Sequence, residues 1–259
     1  MNRFDNKVVL VTGGLGAMGL AIGRRLTREG AQVILADLEQ PSEDKLALAF
    51  AGMKRPEVTV LDVTSASSWS DAMARVQRTY GRLDVLVNNA GVISPAAHAI
   101  DEIELAEWKR VFSVNVDGVL LGTQAGMRVM KAQADGGAIV NMGSVSAYVG
   151  SRDLGSYGTS KAAVRALTKQ AAISAARLGY PVRVNAVHPG YVWTPFVEDK
   201  LVRQFGGLEA ARDAVRKMNP MNQIVEVDDV AAAVAFLASS DARMMTGADL
   251  VIDGGRLVQ

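Results

Sequence analysis

Seven short apolar runs recur along this 259-residue chain, at 7–11, 32–36, 57–61, 83–88, 138–142, 182–187 and 248–252. Segments with helical periodicity separate them. Strands alternating with helices must run parallel, because each helix carries the chain back to the same end of the sheet. The pattern predicts an α/β fold: a single Rossmann-type, doubly wound parallel sheet of about seven strands, with helices on both faces. No proline-rich linker or low-complexity segment divides the chain, so residues 1–259 read as one domain. The stretch 195–226 carries no strand pattern. Insertions past the C-terminal end of a strand tend to cover the ligand crevice. This one reads as a helical substrate lid, with a long packing insertion as the plainer alternative.

The first strand-like run, Lys7–Val11, leads into the glycine-rich turn Thr12–Gly19 and then a helical segment, Leu20–Glu29, that stops at Gly30. Small residues let a backbone approach a pyrophosphate, and the free N–H groups of a helix N-terminus bind it. Such a turn can also be only a tight turn. The second run, Gln32–Ala36, ends in Asp37, eighteen residues after Gly19. That is near the spacing at which a carboxylate meets adenosine ribose hydroxyls. Its charge would repel a 2′-phosphate, so the expected cofactor is NAD. A carboxylate that merely ends a strand is the alternative.

Tyr157 and Lys161 lie four residues apart. On a helix they share a face. A cation beside a phenol favours phenolate, so Lys161 is expected to lower the Tyr157 pKa and let it exchange a proton with a carbonyl oxygen near neutral pH. Alone, the pair is a surface Tyr and Lys on an ordinary helix. Ser144, thirteen residues upstream at the end of the run Ala138–Met142, adds a hydroxyl.

Composition narrows the alternatives. Net charge is +1, with 49% hydrophobic and 21% charged residues, which suggests neither nucleic acid nor an anionic membrane as partner. The absence of cysteine excludes disulfides, thiolate metal sites and a cysteine nucleophile. Together with a start that runs straight into the first strand, it leads to the expectation of a cytoplasmic protein.

In order along the chain stand the glycine turn, Asp62–Val63, Asn88–Gly91, Asn115, Ser144, Tyr157 with Lys161, and His188–Gly190 running on to Thr194. This series resembles the short-chain dehydrogenase/reductase family over essentially the whole chain. One departure is Ala17, where the family usually has Gly. The resemblance implies Asn115, Ser144, Tyr157 and Lys161 as the catalytic set. Tyr157 would be the acid/base, and Ser144 would hydrogen-bond the substrate oxygen as an oxyanion hole does. Lys161 would bind the nicotinamide ribose, and Asn115 would hold a helix kink and a relay water. The cofactor set would be Gly13, Leu15, Met18, Gly19, Asp37, Leu38, Asp62, Val63, Asn89, Ala90, Gly91, Tyr157 and Lys161. The segment around the nicotinamide carboxamide would add Pro189, Gly190, Val192 and Thr194. Asn88 reads as a tie between strands, and His188 as a packed residue.

Candidate substrate walls are Ser144, Val145, Tyr148, Tyr191, Trp193 and Phe196, with core packing the competing role for Trp193 and Phe196. The resemblance is to secondary-alcohol and hydroxysteroid dehydrogenases of the family. It implies a hydrophobic cyclic, aryl or steroid-like secondary alcohol or its ketone. Alternatives are a 3-oxoacyl-thioester reductase, or a non-enzymatic NAD-binding regulator, in which losses among the catalytic residues would be expected. No metal site is expected; a divalent cation at the tail Asp253–Gln259 would have one terminal carboxylate, a meagre hard-ion ligand. The helix from Ser160 is rich in alanine, which permits close helix approach, and the resemblance implies a homotetramer.

Overall fold

The computed structural model describes residues 2–94, 98–152 and 154–259; the side chains of Lys45, Phe196 and Lys200 lie outside what it describes. Its strands are β1 (Val8–Thr12), β2 (Gln32–Asp37), β3 (Glu57–Val60), β4 (Val85–Asn88), β5 (Gly137–Met142), β6 (Val182–Pro189) and β7 (Asp249–Ile252). They form one parallel sheet in the order β3-β2-β1-β4-β5-β6-β7. The order reverses between β1 and β4, so the loops leaving these neighbours part there and open a crevice beyond the strand ends.

Period 2 along each strand distributes its side chains between two cores. Val9 and Val11 of β1 enter one core with Ile22 and Leu26 of α1 (Ala17–Arg28) and Val230 and Val234 of α9 (Val227–Ala238). Val8 and Leu10 enter the other with Trp69 and Val76 of α3 (Ala66–Tyr80) and residues of two central helices, α5 (Gly118–Met130) and α6 (Gly155–Arg177). Both faces are covered, so β1 and β4 are buried along their whole length. That explains near-continuous apolar runs in place of alternation. Each fully buried aliphatic side chain contributes about 1.5–3 kcal/mol.

Polar ties cross the sheet as well. Asn88 Nδ2 donates to Asn141 Oδ1 (2.8 Å), and Asn141 Nδ2 donates to Thr168 Oγ1 on α6 (3.0 Å). This is the strand-tying role read from the sequence. Leu83 and Asp84 fall just outside β4, whose expected start was earlier. Leu83 exchanges both backbone bonds with the Gln133 amide, and Asp84 accepts from the Val8 N–H.

The remaining helices are α2 (Glu43–Ala49), α4 (Leu105–Phe112), α7 (Pro195–Phe205) and α8 (Leu208–Lys217). Thr194 caps α7, its Oγ1 accepting from Val197 N, with Pro195 next in line. Gly206, at φ +76°, ends α7 in the left-handed conformation that lets the chain turn into α8. Thus 195–217 is helical. It rejoins the body where Val192 bridges Val225. Among the described residues no helix is long and apolar enough to cross a membrane.

Asp84 ties several elements at the bottom of the sheet. It accepts from Val8 N (2.9 Å), from Arg82 (2.9 and 2.6 Å) and from Lys7 (3.1 Å). Burial alone would raise its pKa, but these donors prevail and hold it below the usual carboxylate range. Asp84→Ala is expected to destabilise by about 2–4 kcal/mol at pH 7, since it strands a buried N–H and two cations. A depressed folded-state pKa contributes stability that is complete above the unfolded value, about 3.9 for Asp, and is lost as pH falls through the folded value. Urea melts of both proteins should therefore differ most at neutral pH and converge in acid; a constant gap from pH 7 to pH 3 would contradict the assignment.

Candidate active site

The crevice floor is built where β1 and β4 end. Thr12 Oγ1 accepts from the N–H groups of Asn89 and Ala90 (both 3.0 Å), and Asn89 Nδ2 donates to the carbonyls of Thr12 (2.9 Å) and Gly13 (3.1 Å). Gly13 has φ +59°, and a methyl group on it would come within 2.9 Å of Ala90 Cα. A methyl on Gly19 would come within 2.2 Å of the Gly13 carbonyl. Only glycine allows turn, helix and neighbouring strand to meet this closely.

α1 starts at Ala17 behind Gly16, with no side-chain cap and no acidic residue in its first turn. Its first N–H groups are thus left to an outside anion. The departure at Ala17 falls at the helix's first residue, where a methyl is accommodated. Leu15 and Met18 pack partly buried against the core beneath.

At the rim, Asp37 accepts from Leu15 N and Leu38 N (2.9 Å each), and Leu38 stands 65% exposed. Asp62 accepts from Thr64 N and Oγ1 (2.9 and 2.7 Å), and buried Val63 receives the Trp69 indole N–H on its carbonyl. Among the described residues the buried Asn89 Oδ1 has no partner. An uncapped helix end, a glycine cradle that a Cβ would fill, and a carboxylate at the ribose spacing fit a dinucleotide.

The chemical groups come from elements on either side of this floor. α4 does not run straight into α5; between them Ser113–Asp117 forms a π-helical turn, with Asn115 fully buried inside it. Asn115 Oδ1 accepts from Val92 N (2.8 Å), and its Nδ2 donates to Val92 O (2.9 Å) and Ser160 Oγ (3.0 Å). Ser160 in turn donates to the Tyr157 carbonyl (2.7 Å). The kink therefore braces the loop after β4 against the first turns of α6. Gly91 sits in that brace; a methyl there would lie 3.3 Å from Asn115 Oδ1 and 3.5 Å from Lys161 Nζ.

Ser144 follows β5, and its Oγ accepts from Ser146 N (3.1 Å). That bond leaves the hydroxyl proton to point elsewhere, and the Ser144 hydroxyl acts to lower the Tyr157 pKa. Lys161 is buried and donates from Nζ to the Met142 carbonyl (2.8 Å).

The electrostatics correct one expectation. Lys161 Nζ lies 5.6 Å from the Tyr157 ring centroid, yet Tyr157 is not driven toward phenolate. Burial pushes the phenol above its ordinary value, and the Ser144 hydroxyl is the group that pulls it back. Burial also pushes Lys161 down to about 8. Desolvation disfavours the charged form of both residues, so removal from water outweighs their proximity.

Pro189 closes β6, and Gly190 donates its N–H to Ile252 O (2.8 Å); a methyl on Gly190 would meet Asp253 at 3.0 Å. Val192 is buried, and Thr194 is the helix cap described above. Of the substrate-wall candidates, Val145 is buried beside Ser144. Tyr148 stands edge-on to His188 (5.1 Å), with Arg165 over its ring (4.3 Å). Tyr191 lies under Arg256. Trp193 packs into the small core of the 195–217 helices with Leu201, Ala211 and Val215, and its indole N–H donates to Glu198 (2.7 Å). This is the packing role weighed against a pocket wall in the sequence. The Phe196 side chain lies outside the described residues.

Sequence reasoning passed over Thr12, Ser160 and Asp249. Thr12 opens the glycine turn and could have been singled out as its hydroxyl anchor. Asp249 could not, because its partner His188 is 61 residues away in sequence. Among the described residues, no group of three or more Asp, Glu or His is placed to hold a metal ion.

The sequence profile of a family described as "Enoyl-(Acyl carrier protein) reductase" matches residues 14–256. An "NADP-dependent (R)-specific alcohol dehydrogenase" from Lentilactobacillus kefiri is 36% identical over 260 residues, covering 100% of this chain and 99% of that one. A "3-beta-hydroxysteroid dehydrogenase" from Comamonas testosteroni is 36% identical over 256 residues, covering 99% and 98%. Among solved structures, a levodione reductase superposes with TM-score 0.89 at 31% identity, covering 98% of this chain and 99% of that one. The chain belongs to the short-chain dehydrogenase/reductase family, oxidoreductases that use a nicotinamide cofactor.

Ser144→Ala is expected to raise the Tyr157 pKa further, because it removes the hydroxyl that lowers it. ¹³C-tyrosine NMR titration of the five tyrosines reads this directly. An unchanged Tyr157 titration in the variant would break the Ser144–Tyr157 link.

Proposed function

We propose that this protein transfers hydride between NAD(H) and a hydrophobic secondary alcohol or its ketone, with a cyclic, aryl or steroid-like substrate. The observation that carries the reading is the Ser144–Tyr157 pair: a serine oxygen engaged by Ser146, and a phenol that burial keeps protonated while the Ser144 hydroxyl acts to lower its pKa. A carbonyl oxygen placed between these hydroxyls receives two hydrogen bonds, and Tyr157 passes it a proton as negative charge develops. Gly13, Gly19 and the start of α1 would hold the pyrophosphate, Asp37 the adenosine ribose, and Lys161 the nicotinamide ribose. When bound there, the nicotinamide cofactor would supply or accept the hydride. The helices α7 and α8 would act as the lid.

A cyclic or steroidal substrate is supported by the likeness to the hydroxysteroid dehydrogenase. NAD over NADP rests on Asp37, whose carboxylate is held at the rim by two N–H groups and would meet a 2′-phosphate with like charge. The Lentilactobacillus relative is named for NADP, so the choice needs measurement. The profile's description keeps a thioester reductase as the second reading. An NAD-binding regulator is disfavoured by the presence of all four catalytic side chains.

The test is NAD(P)H production or consumption against aliphatic, cyclic, aryl and steroidal alcohols and ketones, with an acyl thioester as competitor. Cyclic or aryl secondary alcohols should turn over, with NAD preferred by about tenfold or more in kcat/KM, roughly 1.4 kcal/mol. Tyr157→Phe should lower kcat by about 10²–10⁴-fold with NAD affinity within a few fold. Because burial raises the Tyr157 pKa, ketone reduction should hold through neutral pH, while alcohol oxidation, which needs the phenolate, should climb as pH rises. Turnover of the thioester alone, or equal use of both cofactors, would overturn the corresponding part.

The protein is proposed to act as a homotetramer. Leu120 on α5 and Ile173 on α6 are 39% and 46% exposed on adjoining helices, a combination that pairing by a twofold axis would cover. Sedimentation equilibrium at micromolar concentration should give about four times 27.4 kDa; a clean monomer mass would exclude it.

A further inference from the structure

His188 is fully buried beside the proposed oxyanion hydroxyl, and the chemistry above makes no use of it. Its Nδ1 lies 3.3 Å from Ser144 N and 3.1 Å from Ser144 O, and its Nε2 lies 3.2 Å from Asp249 Oδ1. The two contacts at Nδ1 exclude each other. A bare nitrogen accepts from the Ser144 N–H, whereas a protonated one donates to the Ser144 carbonyl. The ring therefore chooses which end of the Ser144 backbone it holds.

Asp249 makes that choice. It receives Arg165 Nε and Lys169 Nζ on Oδ2, both at 2.8 Å. Burial alone would raise its pKa, but the lysine and arginine bonds prevail and hold it at about 2. An ionised carboxylate can only accept, so Nε2 carries the imidazole proton. Burial pushes the His188 pKa down more strongly than Ser144 and Asp249 push it up, so the ring is neutral. A neutral ring protonated on Nε2 has a bare Nδ1. The Tyr148 ring, edge-on to His188 and covered by Arg165, closes the remaining side. Asp249 and Arg165 are the charged groups that act on the ring among the described residues.

We propose that His188, locked by Asp249 as the Nε2–H tautomer, is a positioning residue that holds the Ser144 backbone N–H and so aims the Ser144 hydroxyl at the reacting oxygen. Gly143 is part of the same fit: a methyl on it would come within 2.4 Å of the imidazole, so the turn into Ser144 lies flat against the ring. The inference rests on the dehydrogenase reading for its consequence, but its structural core, the tautomer, can be measured without turnover.

The chain has two histidines, His98 and His188, so long-range ¹⁵N–¹H correlation spectra with a His188→Asn control assign the ring. The expected result in the wild-type protein is an unprotonated Nδ1 and a protonated Nε2; a protonated Nδ1 overturns the proposal. His188→Phe keeps the bulk and removes the acceptor. It should lower kcat by about ten- to a hundredfold, the range expected when a reacting group is misplaced, with NADH affinity by fluorescence titration within about twofold. His188→Asn, whose side-chain oxygen can reach toward the Nδ1 position, should recover most of that loss.

Equal losses in both variants, or none in either, would sink the idea. Should His188→Phe fail to fold, Asp249→Asn decides. An amide can donate to or accept from Nε2, so the tautomer should become mixed and kcat should fall with NADH affinity retained; wild-type spectra and wild-type kcat there would also overturn the proposal. A wild-type protein inactive on every alcohol and ketone would refute the dehydrogenase reading while leaving the tautomer result to stand or fall on its own.

Discussion

The rest of the structure depends on the pairing of β1 with β4. Val9, Leu10 and Val11 lie beside Val85, Leu86 and Val87, the place where the strand order reverses. The Thr12 hydroxyl extends that pairing past the last ladder bond by accepting two N–H groups of the next loop. The glycine turn, the start of α1 and the loop carrying Asn89 to Gly91 all hang from this junction. A crevice whose walls leave the sheet in opposite directions offers backbone N–H groups without any mobile side chain having to supply them.

Around that junction buried polar side chains tie the elements together, although the Asn88 and Asn89 side-chain oxygens have no partner among the described residues. Asn88, Asn141 and Thr168 cross two strands and a helix; Asn115, Ser160 and the Tyr157 carbonyl join the π turn to α6. In a low-dielectric interior such chains are rigid because breaking one member strands the others. The same desolvation sets the chemistry. It holds the Tyr157 proton on, brings Lys161 down to about 8 and keeps His188 neutral. One physical term acts on three residues, disfavouring the charged form of each.

The strand boundaries show where local reading succeeds and where it stops. The seven apolar runs emerge as seven strands; the central ones are apolar on both faces because a doubly covered parallel strand must be, while the edge strands β3 and β7 are only partly buried. Leu83 looks like strand but lies outside β4, because a glutamine side chain from 50 residues away takes both its backbone bonds. Trp193 reads equally as pocket wall or core from its neighbours in sequence. It joins the core only because Ala211 and Val215 of a later helix pack against it.

The amino-acid sequence by itself determined what depends on spacing. The parallel doubly wound sheet, the glycine turn at the helix start, the carboxylate at the end of β2, and the shared face of Tyr157 and Lys161 all follow from residues close along the chain. Tertiary structure alone decided what depends on burial and on distant partners. It made Ser144 rather than Lys161 the group that lowers the Tyr157 pKa, and it brought Asp249 to His188. Proximity along a helix is a local property, but the loss of water around a side chain is set by every element that packs over it, and no window of sequence contains them all.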